Sequence, residues 1–171
     1  SDNVERVEKV RFWATQARDP ARHYQHSELG YNYRMSNVLA GIGRGQLKVL
    51  DERIRKKKYI FEFYQRELGD LDGVEFMPIN DWNEPNYWLS CLTLNGKIRP
   101  NDVIDALEEE NIESRPVWKP MHLQPYYGTY DFVGEGVSDQ IFENGICLPS
   151  DTKMTDKDLK RVSTCIKELW R

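Results

Sequence analysis

The sequence predicts an α+β domain, a small, mainly antiparallel sheet with helices on one face, preceded by a piece of a second domain. Three observations carry this. Helical periodicity occupies residues 3–17, 36–68, 101–111 and the stretch after Thr155. Short strand-like runs lie at 74–77, 87–94, 115–118 and 145–148. Turn clusters such as Gly69-Asp-Leu-Asp-Gly73 and Asn95-Gly96 separate them. A chain of 171 residues fits one domain, or one domain plus part of another.

Residues 3–17 read as an amphipathic helix. Val4, Val7, Val10, Arg11 and Ala14 share one side, with Glu5, Arg6, Glu8 and Lys9 largely on the other. Asp19-Pro20 stops it, because the residue before proline avoids the helical region. Residues 18–33 form a polar, aromatic loop. Ser36 then caps one long helix over 36–68, whose apolar residues run from Val38 and Leu39 through Ile42, Leu50 and Ile60 to Tyr64 and Leu68. Gly41, Gly43 and Gly45 interrupt its first turns. No strand precedes them, so they lack the setting of a dinucleotide fingerprint and suit close approach of another backbone instead. The run Arg53-Ile-Arg-Lys-Lys-Lys58 is flanked by Asp51, Glu52 and Glu62 and reads as a solvated helix face. The domain boundary falls inside this helix: residues 1–50 end one domain and begin the linking helix, and residues 51–171 form the next.

Val74–Met77 and Tyr87–Leu94 read as strands, the second with Trp88, Cys91, Leu92 and Leu94 apolar. In helix 101–111, Val103, Ile104 and Leu107 face inward, and Asn111 occupies the left-handed position that ends a helix. Arg115–Trp118 is extended, and Pro116 confines it to an edge or a strand end. Residues 119–137 are irregular, broken by Pro120, Pro125, Gly128, Gly134 and Gly136. A short helix follows at Ser138–Asn144, then a strand at Gly145–Leu148 with Ile146, Cys147 and Leu148 in the core. Thr155-Asp-Lys-Asp158 makes a capping box with Asp in place of Glu, and Leu159, Val162, Ile166 and Leu169 line one face of the last helix.

Composition narrows the function. Hydrophobic residues are 39% and charged residues 30%, ordinary for a soluble globular protein, and the net charge of −4 argues against a general nucleic-acid binder. No apolar run reaches membrane-spanning length. The three cysteines, Cys91, Cys147 and Cys165, are scattered and lack C-x-x-C spacing, which points to reduced thiols in a cytoplasmic protein. Cys147 sits in an apolar strand without a histidine partner in sequence and does not read as a nucleophile. His23 and His26 lack further ligands at metal spacing. The start at Ser1-Asp2-Asn3 reads as a cut inside a longer protein.

One stretch is unusually rich in hydrogen-bond donors. His26-Ser-Glu-Leu-Gly-Tyr-Asn-Tyr-Arg-Met-Ser36 leads into a helix and suits anion recognition. Gly30-Tyr-Asn-Tyr-Arg-Met-Ser-Asn-Val-Leu-Ala-Gly-Ile-Gly43 resembles the segment after the cofactor lysine in the DegT/DnrJ/EryC1/StrS family of pyridoxal-phosphate (PLP) sugar aminotransferases. Arg115-Pro-Val-Trp-Lys-Pro-Met-His122 and Asn144-Gly-Ile-Cys-Leu-Pro-Ser150 agree, and the match runs over essentially the whole chain. The wording is nearest to enzymes that aminate a UDP-linked 4-keto-6-deoxy-HexNAc on the way to bacillosamine-type sugars.

The resemblance implies the C-terminal small domain of an aspartate-aminotransferase-like fold, preceded by the end of the large, PLP-binding domain. It implies a homodimer, a UDP-sugar, and an amino-acid donor such as glutamate. Asn32 matches the asparagine that reaches the PLP phosphate of the partner subunit, and Arg34 matches the arginine beside it. Arg115, Trp118, Lys119 and His122 match a loop over the nucleotide-sugar site, where a diphosphate invites Arg and Lys and a sugar or uracil face invites Trp; His26 is a further candidate. Tyr31 and Tyr33 read as packing residues. The family's Schiff-base lysine and pyridinium acid lie upstream, and Lys9, Lys48, Lys56 to Lys58 and Lys119 do not match that lysine, so this chain alone is expected to be inactive. The alternatives are a PLP- or PMP-dependent sugar dehydratase, in which histidine replaces the lysine, and a non-catalytic interaction domain.

Overall fold

A computed structural model describes residues 1–171. It divides into two compact units, Ser1–Val49 and Leu50–Arg171.

In the first unit, α1 spans Val4–Ala14, with the Asn3 side chain accepting from the Arg6 amide at 2.9 Å. The helix is shorter than the expected 3–17. Gln16 and Ala17 adopt left-handed backbone (φ 68° and 48°), and that turn, rather than Asp19-Pro20, ends it. No residue of α1 is buried, so its apolar side lies open. α2 spans Asn37–Leu47, and Ser36 caps it as expected, accepting from the Leu39 amide at 3.3 Å. The single helix over 36–68 is in fact two. Gly41, Gly43 and Gly45 are each about 1 kcal/mol poorer than alanine in a helix. Beyond them the chain turns at Lys48 and Val49, with the Val49 amide bonded to the Gln46 carbonyl. A Cβ added at Gly41, Gly43 or Gly45 would meet nothing in this chain, so these glycines permit no close approach within it. Val38, Leu39 and Ile42 are exposed.

The second unit begins with α3, Leu50–Leu68, and continues through β1 (Val74–Phe76), β2 (Ser90–Leu94), α4 (Pro100–Glu109), β3 (Arg115–Pro116), α5 (Val137–Asn144), β4 (Gly145–Leu148) and α6 (Asp156–Glu168). The strands form one antiparallel sheet in the order β1-β2-β4-β3. Pro116, which has no amide hydrogen to give a ladder, falls on the edge strand as expected. Leu92, Leu94, Ile146 and Leu148 turn to one face and build the core with Ile60, Tyr64 and Leu68 of α3, Val103 and Leu107 of α4, and Leu159, Val162 and Ile166 of α6. Each side chain fully buried in this layer contributes about 1.5–3 kcal/mol. Ile141 of α5 lies by the other face, where it lines a cleft with Cys91 and Thr93.

Local signals explain the helix ends. Asn111 is left-handed (φ 55°), closing α4. The Thr155 amide donates to Asp158 Oδ2 at 2.8 Å and the Asp158 amide to Thr155 Oγ1 at 3.3 Å, completing the box that opens α6. The strand expected at 87–94 begins only at Ser90. Tyr87 is left-handed (φ 52°), and the Trp88 amide donates to Asn86 Oδ1, so Trp88 leaves the sheet.

Candidate functional site

In the first unit, the end of α1 holds residues 31–33 by their backbone. The Tyr31 amide donates to the Trp13 carbonyl, the Tyr33 amide to the Ala14 carbonyl, and the Gln16 amide to the Tyr31 carbonyl. Thr15 and Asn32 form an antiparallel bridge. Gly30 makes this possible: a Cβ there would lie 2.4 Å from the Ala17 nitrogen. The Asn32 amide and the Arg34 guanidinium are exposed and bond to nothing in the chain. Their main chain is fixed and their donors are free, an arrangement that fits an external phosphate. His26 donates its Nδ1–H to the Gln16 carbonyl (2.8 Å), which leaves Nε2 open. Tyr31 and Tyr33 are exposed and stack on each other at 5.4 Å, so they do not pack into a core. Glu28, unnoticed in the sequence, accepts from the Lys9 ammonium and from Trp13 Nε1; those two bonds hold its carboxyl below the usual range.

In the second unit, Arg115 and Trp118 line a cleft of about 580 Å³ with Trp88, Ser114, Cys147 and Ser150. Trp118 is 64% exposed and stacks on Trp88 at 5.7 Å with an interplanar angle of 28°. It is therefore a surface platform rather than a core residue. The strand break at Tyr87 delivers Trp88 to the same place. The Arg115 guanidinium is paired with Glu113, and both side chains are largely exposed. Such a pair is worth little in water, so an incoming anion can replace Glu113 cheaply. The Ser114 hydroxyl has no partner in the chain.

Lys119 and His122 do not line this cleft. Lys119 is exposed. His122 is mostly enclosed: Nε2 sits 2.7 Å from Asp139 Oδ1, and its ring stacks on Phe132 at 3.6 Å. Nδ1 is the ring atom left to meet a ligand.

The rim of the cleft is held from below. Lys57 belongs to the run expected to be solvated, yet its ammonium is partly buried and donates to the Trp88 carbonyl (2.9 Å) and the Ser150 carbonyl. Burial pushes its pKa down. Tyr64 donates to the Pro149 carbonyl at 2.9 Å, and Ser150 Oγ accepts from the Ser90 amide at 3.0 Å. No periodicity marks Lys57 as different from Lys56 and Lys58, whose ammonium groups pair with Glu52 and Glu62 along the helix surface.

Comparison with known proteins matches residues 1–167 to the DegT/DnrJ/EryC1/StrS aminotransferase family. EpsN of Bacillus subtilis, assigned by name as a pyridoxal phosphate-dependent aminotransferase, is 48% identical over 99% of this chain and 45% of its own length. GDP-perosamine synthase of Vibrio cholerae is 33% identical over 87% of this chain and 41% of its own. The UDP-4-amino-4,6-dideoxy-N-acetyl-beta-L-altrosamine transaminase of Campylobacter jejuni is 26% identical over 95% and 44%. Among solved structures, the aminotransferase TlmJ of Streptoalloteichus hindustanus shares the fold, with a TM-score of 0.85 and 21% identity over 98% of this chain and 45% of its own. The chain thus spans less than half the length of the curated relatives it matches. It belongs to the DegT/DnrJ/EryC1/StrS aminotransferase family.

Proposed function

We propose that the complete protein is a PLP-dependent aminotransferase that moves an amino group from an amino acid to a UDP-linked 4-keto-6-deoxy-HexNAc-type sugar for a bacterial glycan. This chain supplies its small domain and the end of the PLP-binding domain, and the cofactor lysine lies outside it. Bound PLP supplies the carbonyl and the electron sink that amino-group transfer requires. Asn32 donates its amide to a phosphate oxygen of the PLP held by the partner subunit, with Arg34 beside it, which requires a homodimer. Arg115 meets the diphosphate, and Trp118 meets the uracil or sugar face. His122 serves a sugar hydroxyl through Nδ1.

One observation carries this reading: the main chain around Asn32 is pinned to α1 while the Asn32 and Arg34 side chains stay exposed and unpartnered. The test uses the full-length enzyme. A hydrogen bond to a charged acceptor is worth about 1.5–3 kcal/mol, so Asn32→Ala should weaken PLP binding about 10- to 100-fold in an absorbance titration. Unchanged affinity refutes the assignment. Arg115→Ala should raise KM for the UDP-sugar about tenfold with kcat little changed. A change confined to the kinetics of the amino donor refutes the role given to the cleft.

A further inference from the structure

We infer that Cys91 and Cys147 form an oxidisable dithiol site, which a small disulfide of the glutathione class converts to an intrachain disulfide across the sheet. The inference is independent of the substrate reading above. Far apart in sequence, the two residues sit directly opposite each other on β2 and β4, and their sulfurs are 3.5 Å apart. The kind of pairing matters. The Cys91 carbonyl accepts from the Met77 amide, so its peptide groups face β1. On the other strand the Gly145 carbonyl accepts from the Val117 amide, so the alternate residue Cys147 also turns its peptide groups toward β3. Cys91 and Cys147 are therefore a non-hydrogen-bonded pair, the position at which Cα atoms approach to about 4.5 Å and side chains lie closest. That separation is within the span a disulfide bridges, about 4.4–6.8 Å.

Both residues border clefts open to small reagents, although Cys147 is only 8% exposed. Cys147 lines the cleft of Trp88 and Trp118, and Cys91 lines a second cleft of about 360 Å³ with Met77, Trp118 and Ile141. Cys165 is elsewhere, on α6, with its thiol donating to the Ala106 carbonyl at 3.3 Å. The two thiols hydrogen-bond to each other, and with Cys91 as the donor Cys147 is held below the usual thiol range while Cys91 is raised. Cys147 is thus the attacking group. Its thiolate displaces one thiolate from the reagent and forms a mixed disulfide. Cys91 then gives up its proton to that departing thiolate, attacks the Cys147 sulfur and releases the second thiolate. Two protein thiols and one reagent disulfide become one protein disulfide and two reagent thiols.

The test treats the chain with glutathione disulfide and counts free thiols after denaturation. Three thiols should fall to one, peptide mapping should join Cys91 to Cys147 and leave Cys165 alkylated, and dithiothreitol should restore all three. In Cys91→Ser the attack should stall, leaving glutathione on Cys147. Three surviving thiols, a bridge that includes Cys165, or a Cys91→Ser protein unmodified at Cys147 would each overturn the assignment.

Discussion

Replacing Tyr64 by phenylalanine should weaken the folded chain at neutral pH and strengthen it, relative to the parent, in alkali. Tyr64 is fully buried, and its hydroxyl donates to the Pro149 carbonyl over 2.9 Å. Without that donor the chain should lose about 1 kcal/mol, within a range of about 0.5–1.5. Alkali reverses the comparison. Burial raises the Tyr64 pKa well above its ordinary value. In the unfolded chain the phenol ionises near about pH 10, while in the folded chain it keeps its proton. The folded state then binds more protons than the unfolded one, so the contribution is whole below about pH 10 and is lost as pH rises toward the folded pKa. The loss reaches about 1.4 kcal/mol one pH unit above the unfolded pKa. Phenylalanine carries no such term, and every other titrating group is common to both proteins. The parent should therefore lead by about 1 kcal/mol from about pH 7 to 9, draw level at about pH 10.6 and fall behind above it. Urea unfolding followed by far-ultraviolet circular dichroism at a series of pH values measures this, provided the m-value stays constant. A difference that holds steady through about pH 11 refutes the reasoning, because it means the buried hydroxyl ionises as it would in water.

Gly30→Ala should force the Thr15–Ala17 turn apart at one backbone contact, since the new methyl would lie 2.4 Å from the Ala17 nitrogen. The expected cost is about 1–3 kcal/mol, read as faster amide exchange at Tyr31 and Tyr33 with the unfolding midpoint of residues 50–171 unchanged. Lys57→Met keeps the aliphatic stem but removes the ammonium that bonds the Trp88 and Ser150 carbonyls. It should lower stability by about 1–2 kcal/mol, whereas Lys56→Met, at an exposed helix pair, should stay within about 0.5 kcal/mol; equal effects in urea unfolding would contradict the supporting role of Lys57.

Much of the architecture was legible because local chemistry and global packing agree. The capping box at Thr155, the left-handed Asn111 and the edge proline Pro116 each express a rule that acts within a few residues, and each holds in the structure. Legibility failed where a local signal was ambiguous. Tyr87 and Trp88 carry strong strand propensity, but a left-handed Tyr87 and the Asn86 side chain remove both from β2. The period through 36–68 is real, yet it describes two helices whose apolar residues meet different fates, exposed in α2 and buried in α3. At the candidate site, Arg115 and Trp118 were visible as residue types. Their neighbours Trp88 and Lys57 come from other segments, and only the sheet and α3 bring them to the cleft. Asp139 beside His122 and Cys91 beside Cys147 are likewise products of long-range pairing, which no window along the chain contains.

The two margins of the sheet are stunted. β1 offers three residues and β3 two, one of them a proline that can donate nothing. A visiting strand would find almost no ladder to extend, so the sheet is a poor template for fibril growth or for capture of an extended peptide. Recruitment of other chains is thereby left to helices and loops, and the four strands can keep their open hydrogen-bonding groups without inviting cross-molecular polymerisation.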